Sequence, residues 1–150
     1  MDRSEVARRC AEVMYAKDAA SKALGIAIDV REAGDAVARM TVRDDMVNGF
    51  GVCHGGLLFT LADTAFAFAC NGYDDRTFAA AAAIDFLRPA LLGDELYALA
   101  REDHRGSKSG FYTVEVRNQR DEVVALFRGR SASRGEPLLP PDRTTATNRN

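Results

Sequence analysis

Apolar residues Val6, Cys10, Val13, Met14 and Leu24 recur near helical spacing, which predicts an amphipathic N-terminal helix over about 4–24, ending at Gly25. Residues 26–30 and 36–42 are strand-like and flank Gly34-Asp35, the turn of an antiparallel hairpin. A glycine-rich loop from Asn48 to Cys53 leads into His54-Gly55-Gly56. The next stretch, 57–71, is apolar around almost its whole helical circumference, as expected of a helix buried inside a protein. Its polar exceptions Thr60, Asp63 and Thr64 form one narrow stripe. Beyond a turn at 71–76, strands are predicted at 77–87, 95–104, 110–118 and 123–131, separated by turn residues at 89–94, 106–108 and 120–121. The alanine run 79–83 has helical propensity. It reads as strand because Ile84-Asp85-Phe86-Leu87 alternates directly after it, and small side chains let a buried helix approach a sheet.

The sum is an α+β chain in which a single antiparallel β-sheet wraps one long central α-helix. Its 150 residues, 47% of them hydrophobic, suit one domain, expected over 1–134, with a Pro-rich polar tail over 135–150 expected to be disordered. A net charge of -2 with interspersed signs offers neither a basic stripe for nucleic acid nor a polybasic segment for a membrane. Small molecules or copies of the same chain are the expected partners. No signal peptide is evident, and the most apolar stretch is too short to span a bilayer and carries Asp63, so a cytoplasmic protein is expected. Cys10, Cys53 and Cys70 form no CxxC pair and have no histidine spaced to complete a zinc site. Free thiols, no metal and no cofactor follow.

An ionisable carboxylate on a buried helix is expensive to desolvate unless it is paired or protonated. Asp63 therefore either bonds a neighbouring turn or performs chemistry. Gly55 and Gly56 fall at the helix entrance, where backbone N–H groups lack internal partners and the dipole favours negative charge. Such amides suit a developing oxyanion, and glycine lets a carbonyl approach closely; the bland reading is a tight turn. Gly55 and Asp63 lie about 12 Å apart along one helix, too far to meet one reacting carbon. If both are catalytic, an antiparallel copy of the helix must bring its Asp63 beside the first chain's Gly55, in an isologous dimer with two shared sites.

Three segments carry a family likeness: Asn48-Gly49-x-x-x-Cys53-His54-Gly55-Gly56, then Leu61-Ala62-Asp63-Thr64-Ala65-Phe66-Ala67, then Ile84-Asp85-Phe86-Leu87-Arg88-Pro89. Together they resemble the phenylacetic-acid-degradation (PaaI-type) hot dog thioesterases, over about 14–133. The resemblance implies a hot dog fold and hydrolysis of an acyl-CoA, with phenylacetyl and related aromatic acyl groups leading, by homodimers that pair into tetramers. It also implies roles: Asp63 as general base or nucleophile, the Gly55 amide polarising the carbonyl, and Asn48 and His54 orienting the reacting groups; Gly56 and Thr64 beside them are expected to line the substrate. In one respect the chain departs from its relatives, which often carry a hydroxyl in the strand that here reads 79–83.

Among the cations, Arg88 and Lys108 are the preferred pair for CoA phosphates, with Arg105, Arg128 and Arg130 also considered. Cys53 beside His54 invites a nucleophile pair, but sequence neighbours usually point apart. His104 reads as a solvated strand-end residue. Phe59, Phe66 and Phe68 are first of all core. Two rival functions remain: a hot dog hydratase or dehydratase with His54 as its acid/base, and a non-catalytic acyl-CoA-binding regulator. The latter lacks the DNA-binding element and basic surface it would need.

Overall fold

The computed structural model describes residues 1–141. Its elements run α1 (Arg3–Ala16), α2 (Ala19–Ala23), β1 (Ala27–Glu32), β2 (Asp35–Thr41), a short 3-10 turn (Asp44–Met46), α3 (Gly55–Cys70), β3 (Thr77–Phe86), β4 (Glu95–Arg105), β5 (Ser109–Arg117) and β6 (Val123–Ser133). The six strands form one antiparallel sheet in the order β1-β2-β4-β5-β6-β3, curled around α3. This is the α+β hot dog architecture.

One expectation is corrected at the N-terminus, where the single helix over 4–24 is two. Asp18 stops the first by capping the second: its carboxylate accepts from the Ser21 amide at 3.0 Å and the Ser21 hydroxyl at 2.6 Å. The hairpin forms as expected, with Gly34 (φ +86°) in its turn.

Leu58, Leu61, Ala62, Ala65, Phe66 and Ala69 of α3 are buried, and the sheet meets them with Met40, Leu96, Ala98, Val114 and Phe127. Phe66 lies so close to β6 that a Cβ at Gly129 would fall 2.9 Å from its ring, so glycine there sets the helix-to-sheet distance. Phe66 and Phe68 are core residues, and Phe59 packs edge-on to Phe127 with ring centroids 5.4 Å apart.

The alanine run is strand, despite alanine's helical preference, because β3 pairs with β6 from Thr77↔Ser133 to Phe86↔Ala125. β3 is an edge strand: its far side meets no other strand among the described residues, and its alanines stay exposed. β3 runs back along α3. The Phe86 end lies at Gly55, while the Asn71 side chain donates to the Thr77 carbonyl at 2.9 Å.

The start of the expected tail is placed. The Gly135 amide donates to Asp75 at 3.0 Å, and the Leu138 and Leu139 amides donate to Asp74 at 2.8 and 2.7 Å. The remainder of that tail, from 142 on, lies outside the described residues.

Candidate active site

Helix α3 begins two residues earlier than its apolar pattern suggests, because His54 caps it. The His54 Nδ1 accepts from the Gly56 amide at 2.9 Å, and the His54 carbonyl accepts from the Leu57 amide at 2.9 Å. With Nδ1 accepting, the neutral ring carries its proton on Nε2, a donor facing outward. The segment before the helix is pinned by two further bonds, Cys53 amide to Ala90 carbonyl and His54 amide to Met46 carbonyl, both 2.8 Å. These bonds leave the Gly55 amide as the one at this entrance without an acceptor among the described residues. The helix-entrance argument alone treats the two glycines alike; the structure separates them.

Asn48 shapes the preceding loop. Its side-chain oxygen accepts from the Phe50 amide at 2.9 Å and the Val52 amide at 3.4 Å, and its backbone bonds Val52 as well. The oxygen being committed, its Nδ2 group is what remains to address a ligand.

Asp63 is partly buried and meets no hydrogen-bond donor among the described residues, so it does not serve as a cap. Burial raises its carboxyl above the ordinary value, since desolvation disfavours the charged form. The hydroxyls beside it turn back on the helix: Thr60 donates to the Gly56 carbonyl at 2.9 Å and Thr64 to the Thr60 carbonyl at 2.6 Å. A partly desolvated carboxylate with free lone pairs can take a proton from water.

Cys53 and His54 do not form a nucleophilic pair. The thiol is 4% exposed, points at the His54 carbonyl rather than the ring, and is pushed up to about 11 by burial. All three cysteines are buried and free.

A cavity of about 350 Å³ opens at the helix entrance, lined in part by Val52, Gly55, Leu58, Phe86 and Arg88. Arg88, on its rim, pairs with Glu122. Lys108 is elsewhere: its carbonyl bonds the Ser133 amide, whereas the Arg88 amide bonds Val124, at the opposite end of β6. Val124 and Ser133 stand nine positions apart along the strand, about 30 Å, so one chain cannot bring both cations to one phosphate. In the sequence Phe86 is legible only as part of a strand motif. Its ring lies over Gly55, with Cζ 3.1 Å from where a Cβ there would sit. The alternation Ile84-Asp85-Phe86 signals that Phe86 faces the helix, but not how far along it.

Comparison with known proteins matches residues 50–125 to the Thioesterase superfamily model. The chain is 52% identical over 121 residues to the acyl-coenzyme A thioesterase PaaI of Escherichia coli (strain K12), spanning 81% of this chain and 86% of that protein. The solved structure of the E. coli PaaI protein from the phenylacetic acid degradation operon superposes with a TM-score of 0.89 at 48% identity, covering 91% of this chain and 99% of that one. A Streptococcus mutans protein solved with acetyl CoA bound gives a TM-score of 0.71 at 26% identity over 75% of this chain and 90% of its own.

Proposed function

The chain belongs to the Thioesterase superfamily as a thioester hydrolase of the PaaI type, and from that premise we propose that it hydrolyses acyl-CoA thioesters, phenylacetyl-CoA and related aromatic acyl groups foremost, at sites shared between two copies. One observation carries this reading. The unsatisfied Gly55 amide and the unpartnered Asp63 carboxylate sit on one rod, about 12 Å apart.

The substrate carbonyl accepts from the Gly55 N–H, where the α3 dipole adds to the stabilisation of the oxyanion. Asp63 of the partner subunit takes a proton from water, whose oxygen bonds the carbonyl carbon. Collapse of the intermediate breaks the C–S bond, and the departing thiolate receives that proton. The elevated Asp63 carboxyl favours base over nucleophile, because a carboxyl nearer neutrality holds the transferred proton better. A single turnover in heavy-oxygen water separates the two: solvent label alone in the first product supports the base, and unlabelled enzyme oxygen in it shows direct attack. His54 Nε2–H and Asn48 Nδ2 orient the carbonyl and the water. Gly56 lines the approach only through its surface, its amide being held by His54. Thr64 stands beside Asp63 with its hydroxyl proton committed.

The edge of β3 suggests how the copies meet. A second chain adding antiparallel to that edge sets its α3 antiparallel to the first and brings Lys108 of the partner subunit to the end where Arg88 lies. The two cations can then address one CoA, a ligand class bound by the S. mutans relative. Pairing of such dimers makes the tetramer. Buried, unpaired thiols suit a reducing cytoplasm.

Subunit mixing tests the shared site. Asp63→Ala and Asn48→Ala chains, each inactive alone, should recover activity on exchange, because one of the two sites in a mixed dimer is then intact. Absence of recovery after proven exchange would place Asn48 and Asp63 in the same chain's site. Thiol release from a panel of acyl-CoA substrates tests the aromatic preference, which fails if aliphatic chains of equal size turn over as well.

A further inference from the structure

Phe86 is 55% exposed, although it projects from the helix-facing side of β3, the side it shares with the partly buried Ile84. It stacks with no other aromatic ring among the described residues. What it does touch is Gly55: Cζ and Cε1 stand 3.1 and 3.3 Å from the position a Cβ would take there. A phenyl placed only for core packing belongs under cover. In the single chain this one keeps part of its surface uncovered beside an amide that has no acceptor among the described residues.

We propose that Phe86 is a specificity-determining residue, its ring being the wall that limits bulk on the acyl carbon next to the thioester carbonyl. The site then takes acyl groups joined through a plain CH₂ in preference to those branched at that carbon. This rests on the reading of the Gly55 amide as the carbonyl's partner. A carbonyl oxygen within about 3 Å of the Gly55 nitrogen holds its carbon close to the ring that covers Gly55, and that carbon has two substituents. One is sulfur, which leads into a chain common to every acyl-CoA. Discrimination among substrates at this wall therefore falls on the other, the acyl α-carbon. The neighbouring apolar surfaces of Val52 and Leu58 line the same cavity, and the pinned backbone of Cys53 and His54 keeps the glycine from backing away from the ring.

The test compares kcat/KM for butyryl-CoA against 2-methylbutyryl-CoA, and for phenylacetyl-CoA against 2-phenylpropionyl-CoA, in wild type and Phe86→Ala. One misplaced methyl in a fitted apolar site is worth about 10–200-fold. Wild type should favour the unbranched member of each pair by a factor in that range. Phe86→Ala should cut the preference at least about tenfold, mainly through faster turnover of the branched member. Phe86→Leu, which keeps an apolar side chain at the strand end, should fall between and serves if the alanine variant is unstable. A wild-type preference that survives both changes, or no wild-type preference at all, overturns the role of Phe86. A wild type that releases no thiol from any of the four substrates instead overturns the acyl-CoA reading, and this one with it.

Discussion

Replacing Asp63 by asparagine separates chemistry from folding at one atom. The carboxylate accepts no hydrogen bond among the described residues, so an amide of the same shape removes no bond that holds the fold. Burial is what raises the Asp63 carboxyl, which means that the folded chain disfavours the charged form. The sign follows from linkage. For a group raised on folding, the stability associated with the proton is fully present below the unfolded value, 3.8, and is lost as pH rises through the higher folded value. Asp63→Asn escapes that loss, so at neutral pH it should be no less stable than wild type, and the difference should shrink to nothing as pH falls below the ordinary carboxylate range. Turnover should move the other way, falling by about 10²–10⁴, equivalent to about 2.7–5.4 kcal/mol on the barrier. Thiol release at saturating substrate, read beside urea unfolding from pH 3 to 8 (a working range of about five units), gives both quantities. A folded Asp63→Asn with near-normal turnover refutes the catalytic assignment. A variant clearly less stable than wild type at neutral pH refutes the claim that this carboxylate is a burden to the fold.

Other outcomes follow from the same geometry. Gly55→Ala should remain folded, because the exposed Phe86 ring can yield to a Cβ that would lie 3.1 Å from it, but the displaced wall should lower kcat/KM by about 10²-fold, as measured by thiol release. His54→Ala removes the acceptor for the Gly56 amide and should destabilise the fold by about 1 kcal/mol in chemical denaturation, as loss of a helix cap does. Glu102→Ala strands the Tyr112 hydroxyl, 1% exposed and bonded to Glu102 at 2.8 Å, together with the Tyr73 hydroxyl; unfolding should show a loss of about 1–3 kcal/mol. Tyr73, pushed up to about 12 by burial first and then by the Glu102 bond, makes wild-type stability present below pH 10.0 and lost as pH rises through about 12, which thermal melts across that window can follow.

Two periodicities in the residues were enough to read the architecture. The all-round apolar stretch ending near Cys70 could only be a covered helix, and the alternation in Ile84-Asp85-Phe86-Leu87 outweighed the helical leaning of the alanines before it. The break at Asp18 is not legible in the apolar spacing because a helix break needs no change of hydrophobic phase, only a carboxylate able to reach the Ser21 amide. The distance between Arg88 and Lys108 depends on strand order, and nothing local announces that β6 carries both ends of that distance. The split between Gly55 and Gly56 depends on one imidazole rotamer. Phe86 is legible in the sequence only as part of an alternating strand, and its place over Gly55 needs β3 to run back along α3 to the helix entrance, a relation between distant segments.

The bare margin of β3 has a consequence for handling the protein. Edge strands are usually guarded by lysine, proline or a very short length, and this one spans ten residues with Asp85 as its sole charge and no proline. Its amides and carbonyls form a template that accepts any extended chain, its own or a foreign one. Dilution should therefore lower the melting temperature by mass action, and conditions that expose the margin for long should favour irreversible clumping over clean unfolding.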